Sequence, residues 1–291
     1  MLNKLVSTVK IKLESKNGGD VLSGMFSRFD PVRSGPGVDK NAPPRHRILQ
    51  FFIIYSKKFQ KLILLNLIYF LFSIPAVIIA QYMSYTVFRF FYSNTYNDIQ
   101  NWLSVSLFIV CVPVVAVGPA HAGFTHILKS FVREEPVFLW SDFMEHAKKN
   151  FKQSLIISGI NIAVFFVLCT SICWYVALGK KTPLMTLAVG LQGFALLLFF
   201  IMNFYVYPML VTFKLKTVEI YKNALIFAVL KFIPNLLILL LLAVISMGMM
   251  FNFIIGFVLM PVFTLSMVGF IINFYVYPCL KKYLIDKRAG A

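Results

Sequence analysis

From Phe232 to Leu280 the chain runs for 49 residues without an Asp, Glu, Lys, Arg or His. A single helix cannot use such a run. At ~1.5 Å per residue it would be about 74 Å long, against a bilayer hydrocarbon core of ~30 Å. The run therefore predicts two membrane spans, at 233–250 and 254–279, with Gly248 and Asn252 where the chain turns. Four more stretches approach or exceed the roughly 20 apolar residues that a crossing helix needs, at 62–80, 103–120, 155–178 and 184–210. The expected fold class is all-α: a polytopic membrane protein with six transmembrane helices in residues 51–291, preceded by a polar arm and linker at 1–50. Composition agrees, since 59% of residues are hydrophobic and only 13% are charged, about half the ~25% of a soluble domain. A soluble enzyme, a disordered regulator and a disulfide-rich secreted module are excluded.

The formal charge of +17 would suggest nucleic acid in a soluble protein. Here the basic residues cluster between the apolar runs, so no nucleic-acid partner is expected. Of the 28 Lys and Arg, 25 fall in segments on one side of the six spans; only Arg89, Lys180 and Lys181 fall on the other. The positive-inside rule then places both termini in the cytoplasm.

In the arm, Leu2, Leu5, Val6, Val9 and Leu13 recur at helical spacing among Lys4, Lys10, Lys12 and Lys16. This suits either a short helix on an anionic membrane surface or a frayed tail. Breakers at Asn17-Gly18-Gly19, Gly35-Pro36-Gly37 and Pro43-Pro44 mark a linker. Between spans 2 and 3, Phe143, Ala147 and Phe151 form one stripe of a helix over 136–153, with Asp142, Glu145, Lys148 and Lys149 away from it. Residues 217–230 repeat that pattern more weakly. Both helices are expected to lie in the cytoplasmic interface, as membrane-surface elbows or as docking helices.

The second half repeats at an offset of 70. Asn203-Phe204-Tyr205-Val206-Tyr207-Pro208 recurs unchanged as Asn273-Phe274-Tyr275-Val276-Tyr277-Pro278, and Phe151–Ile156 faces Tyr221–Ile226 in the same register. Each unit reads as a surface helix, a span out and a span back. With spans 1 and 2 as a divergent copy, this predicts three parallel two-helix units. The span interiors hold almost no ionisable groups, which argues against a proton relay. Their main polar side chains are Asn66, Asn161, Gln192, Asn203, Asn235 and Asn273. These amides either bind helices together or face a neutral solute.

Nothing in the pattern points to catalysis. No Walker A motif, GxSxG elbow or Gly-rich dinucleotide loop occurs, so neither an enzyme nor a cofactor is expected. His121, His126 and His146 lie near Glu134, Glu135, Asp142 and Glu145, but at no metal-ligand spacing, and no metal is expected. Cys111, Cys169, Cys173 and Cys279 all sit in apolar segments and read as small hydrophobes.

Ser73-Ile74-Pro75, then Val117-Gly118-Pro119-Ala120-His121-Ala122-Gly123-Phe124, then Arg133-Glu134-Glu135, Trp140-Ser141-Asp142-Phe143 and Lys149-Asn150-Phe151-Lys152-Gln153 occur in this order. The succession resembles the YesL-like family of bacterial multi-pass membrane proteins over about residues 25–285. Gly118, Pro119, Ala120 and Gly123 match its Gly-Pro-Ala-x-Ala-Gly hallmark, and His121 occupies the variable position. The resemblance implies a bacterial cell (inner) membrane protein associated with carbohydrate uptake. Its expected partners are the lipid bilayer and subunits of sugar importers of the ATP-driven ABC class. The Glu-Ala-Ala…Gly docking loop of such permeases is approached only by Glu145-His146-Ala147, with no Gly at the needed place. That argues for a non-enzymatic accessory or assembly subunit rather than a permease. Its contact surface is expected at 133–153, through Glu134, Glu135, Trp140, Asp142, Phe143, Lys148 and Lys149. The alternatives are a stand-alone facilitator or channel for a small neutral solute, whose path Asn66, Asn161, Asn203 and Asn273 would line, or a membrane sensor using the N-terminal arm.

Overall fold

Helix α1 runs unbroken from Arg47 to Phe88, and its 42 residues make a rod of about 63 Å. It begins well before the expected span at 62–80 because nothing in 47–61 breaks a helix, and Pro75 is carried inside it. The computed structural model describes residues 46–88, 105–106, 109–110, 114–177, 182–248 and 259–282. The chain divides into Met1–His46 and Arg47–Ala291. Residues 1–45 of the N-terminal arm lie outside the described residues, and its last four residues, 47–50, already belong to α1. Residues 103–104, 107–108 and 111–113 of the expected second span, the 178–181 loop, the 249–258 turn and the C-terminal tail also lie outside the described residues.

The described residues are helical wherever they are regular. After α1 come α2 (Gly118–Val132), α3 (Leu139–Lys149), α4 (Phe151–Ala177), α5 (Pro183–Leu210), α6 (Thr217–Leu230) and α7 (Phe232–Gly248). A π-helical turn at Met260–Thr264 then leads into α8 (Leu265–Leu280). Among the described residues four helical stretches are long and apolar enough to cross a membrane: Arg47–Tyr85, Phe151–Tyr175, Pro183–Leu210 and Val262–Leu280. A fifth crossing results if α6 and α7 are counted together, although they meet at a 95° bend. The protein is thus a multi-pass, membrane-like helical body.

Two expectations are corrected around Gly118. The second span was expected to run to 120, but the chain is non-helical at 114–117 and a new helix begins at Gly118. Pro119 therefore opens a helix, where its missing N–H is no loss. Residues 121–154 were expected to carry one surface helix, at 136–153. They also contain α2, a further helix buried on nearly all sides that touches α1, α3, α4, α5 and α8. Its polar His121, Thr125, Lys129 and Ser130 are all buried.

Packing explains the motif glycines. A Cβ on Gly118 would run into the Ser154 backbone of α4, and one on Gly123 would sit 2.5 Å from the Phe143 carbonyl oxygen of α3. Beside them, Tyr69 of α1 stacks on Phe124 with ring centroids 4.1 Å apart. Gly269 of α8 leaves room for Phe124 and Leu128. An aromatic ladder joins the start of α1 to α8 in antiparallel order. Phe51 meets Phe270 and Phe274, Tyr55 meets Phe270, and Phe59 meets Phe263 of the π-helical turn. Arg47 closes the ladder by donating to the Phe274 carbonyl at 3.0 Å.

The bend between α6 and α7 has a local cause. Pro234 cannot donate to the carbonyl of Leu230, so the helical ladder is interrupted where the chain turns at Lys231. The Asn235 side chain stitches the break, donating to the Phe227 and Ala228 carbonyls at 3.1 and 3.3 Å.

Candidate functional site

The span asparagines turn inward and find protein partners, whereas Gln192 donates to Ser171 Oγ at 2.7 Å but leaves its own oxygen buried without one. Asn161 of α4 donates to Asn203 Oδ1 of α5 at 2.6 Å. Its own oxygen accepts from the Tyr221 hydroxyl of α6 at 2.8 Å. Asn203 then donates to the Phe199 carbonyl at 2.8 Å, and Asn273 donates to the Gly269 carbonyl at 2.9 Å. These two bonds are the same i to i−4 contact at equivalent positions of the 70-residue repeat. Asn66 accepts from the Ser266 backbone at 2.6 Å, joining α1 to α8. All four amides are buried.

The repeat also converges on one atom. Tyr205 and Tyr275, 70 residues apart, both donate to Asn235 Oδ1, at 2.6 and 2.7 Å. Asn235 is completely buried and uses its remaining donors on the α6–α7 bend. The sequence marked Asn235 as polar but gave no sign that it would join both copies. The void beside Asn273, bounded by His121, Phe124, Phe204 and Pro208, measures about 10 Å³, room for about one water molecule.

The segment at 133–153 is more divided than its pattern suggested. Phe143 is 1% exposed and Ala147 is also buried, because this stripe packs on α2 at Gly123. Phe143 is therefore part of the interior and is not available to a partner. Asp142 holds the start of α3 by accepting from the Phe138 N–H at 2.9 Å. Glu135 pairs with Arg133 at 2.7 Å. Glu134 takes a left-handed backbone, with φ of 56°, as the chain leaves α2. Glu134, Trp140, Glu145, Lys148 and Lys149 are exposed. Phe138, which the sequence reading passed over, is 79% exposed and Trp140 is 57% exposed. The helical period hid Phe138, because it precedes α3 rather than lying on its apolar stripe.

His126 of α2 stacks on His146 of α3, with centroids 3.2 Å apart and planes 11° from parallel. Burial first, then the nearby His146, Lys129, Lys149 and Arg133, push His126 down to about 3. Its Nδ1 is buried without a hydrogen-bond partner. Among the described residues no group of three or more His, Cys, Asp or Glu is placed to hold a metal. Lys129 is buried and donates to the Val211 carbonyl at 3.0 Å. Burial lowers its pKa, and Arg133 acts in the same direction.

No curated protein and no solved structure matches this chain. Residues 62–172 match the model of a family described as "Protein of unknown function, DUF624". That range takes in most of α1, all of α2 and α3, and α4 as far as Ser171–Ile172, so it contains the Gly118–Gly123 segment and the exposed face of α3.

Proposed function

We propose that this chain is a YesL-like, non-enzymatic accessory or assembly subunit associated with a carbohydrate importer in a bacterial cell membrane. In this reading it makes six crossings, arranged as three two-helix units, and both termini are cytoplasmic. The observation that carries the reading is the closure of the interior amides on one another and on backbone carbonyls. A solute path would leave such amides facing a cavity. Here the space beside Asn273 is about 10 Å³, far below the ~300–1,000 Å³ of sites that hold small molecules. What remains available to a partner lies outside, where Phe138 and Trp140 stand exposed beside Glu145 and Lys148. Aromatic anchors bordered by charges are the usual composition of an energetically dominant contact patch.

The test is affinity purification of the full chain from its host's membranes in a mild detergent, with co-purifying proteins identified by mass spectrometry. Importer subunits should be recovered with the wild type. They should fall at least tenfold with a Phe138→Ala, Trp140→Ala variant of unchanged thermal stability. Absence of importer subunits from the wild-type sample, or equal recovery with the variant, would overturn the reading.

A further inference from the structure

The positive-inside pattern accounts for lysines at one end of a membrane protein, but not for lysines gathered around a hollow. Where the α3–α4 corner meets the segment joining α5 to α6, a pocket of about 730 Å³ opens. Its walls carry His146, Lys149, Asn150, Gln153, Lys214 and Lys216, and no lining residue is Asp or Glu. Two nearby carboxylates are engaged, and Glu145, the neighbour of His146, is exposed and outside the lining. Glu219 accepts from the Lys216 backbone N–H at 2.9 Å, and Glu135 holds Arg133. Among the described residues none of Lys149, Lys214 and Lys216 pairs with a carboxylate. Beneath the floor lies a fourth lysine, Lys129, whose amine bonds the carbonyl of the lining residue Val211.

The two walls are tied together rather than merely adjacent. Gln153 of α4 donates to the Leu215 carbonyl of the opposite wall at 2.8 Å. Asn150 donates to the His146 carbonyl at 2.9 Å, which fixes the corner. Three lysines lining a hollow of this size, with its two walls tied together, exceed what a monovalent ion needs. They match an oxyanion with several acceptor oxygens and more than one negative charge, for which lysine serves as a point-charge partner.

We propose that this pocket binds a phosphate group, held by Lys149, Lys214 and Lys216. The phosphate can belong to an anionic lipid headgroup or to a free phosphate ester, and the same lysines serve either source. The exposed Phe151 and Leu155 of α4 and Val218 of α6 follow the lining residues in sequence and would accompany acyl chains if the source is lipid. The site does not depend on the importer partnership proposed above.

The experiment follows thermal unfolding of the full-length protein in a neutral detergent. One arm titrates inorganic phosphate and glucose 6-phosphate, with glucose as the neutral control. The other compares mixed micelles containing phosphatidylglycerol with micelles containing phosphatidylcholine. The pocket variant is Lys149→Gln, Lys214→Gln, Lys216→Gln. A second variant, Lys57→Gln, Lys61→Gln, Lys222→Gln, removes the same charge elsewhere. A ligand that binds only the folded state raises the midpoint saturably. Such a rise is expected in the wild type and the charge control, with apparent affinity at least tenfold weaker in the pocket variant. Saturation by the soluble phosphates assigns a free ester, and saturation by phosphatidylglycerol alone assigns a lipid headgroup. No saturable rise in either arm, or a loss in the pocket variant less than threefold beyond the control, overturns the proposal. If the triple variant does not fold, Lys214→Gln alone is measured against Lys222→Gln by the same threefold criterion.

Discussion

Replacing Asn235 with Leu removes four hydrogen bonds from one buried point. Two are accepted from Tyr205 and Tyr275 at 2.6 and 2.7 Å, and two are donated to the α6–α7 bend at 3.1 and 3.3 Å. Side-chain hydrogen bonds inside membrane proteins average ~0.6 kcal/mol and reach ~1.7. Four bonds at the average give a loss of about 2–3 kcal/mol for Asn235→Leu. Tyr275→Phe alone should cost only about 0.6 kcal/mol, because Asn235 keeps Tyr205 and its two carbonyls. The informative measurement is the combination. Once the shared acceptor is gone, the Tyr205 hydroxyl keeps only the neighbouring Tyr275 hydroxyl, so deleting it should cost less than in the wild type. Tyr205→Phe should therefore cost about 0.6 kcal/mol in the wild type and less than that in the Asn235→Leu background, a coupling that a double-mutant cycle isolates. Reversible unfolding in mixed micelles of a neutral and an anionic detergent, followed by far-UV circular dichroism, supplies the free energies. Strict additivity of Tyr205→Phe and Asn235→Leu would refute the shared-acceptor argument.

Gly123→Leu should destabilise by about 1–3 kcal/mol or more, since the Phe143 carbonyl that it meets is backbone and cannot rotate away; an unchanged melting midpoint and an unchanged size-exclusion profile would count against the packing role. His126 and His121 are both held down to about 3 in the fold, from an ordinary 6.5. Between those values the unfolded chain binds protons that the folded chain refuses, so stability should be full above about pH 6.5 and fall as pH drops towards 3. His126→Phe should flatten, without abolishing, the dependence of the melting midpoint on pH between 7.5 and 5; an identical slope would refute it. For the orientation, Thr95→Cys and Asp286→Cys, each in a background without native cysteines, should label oppositely in intact cells, with 95 reacting from outside. Reaction at 286 but not 95 would invert the topology.

How far the sequence reached depended on which signal each element carries. Spans 3 and 4 were legible because length and apolarity alone define them, and α4 and α5 fall within a few residues of the expected limits. The 70-residue repeat was legible as identity, and Asn203 and Asn273 indeed make the same local bond. Helix α2 was not legible, since a helix buried among other helices needs no apolar stripe facing lipid and can carry His121 and Lys129 if partners exist for them. Those partners, Tyr69 and Val211, are 52 and 82 residues away in sequence. The face of α3 was half legible. Its period identified Phe143 as apolar, but only the contact at Gly123 shows that this side chain is used internally.

Helix α2 also constrains the order in which the protein can be assembled. A ribosome delivers His121, Thr125 and Lys129 before any of α4, α5 or α8 exists. Left in hydrocarbon, the Lys129 amine would be a costly unpaired group, and its acceptor at Val211 is synthesised 82 residues later. The 15 residues of α2 also make only about 22 Å of helix, too little to settle across a bilayer unaided. The helix must therefore wait at the membrane surface, or in the insertion machinery, until the second half of the chain arrives. The first half is made first but completed last, so a truncation after α5 would strand α2 without the Gly269 face of α8 that packs on Phe124 and Leu128.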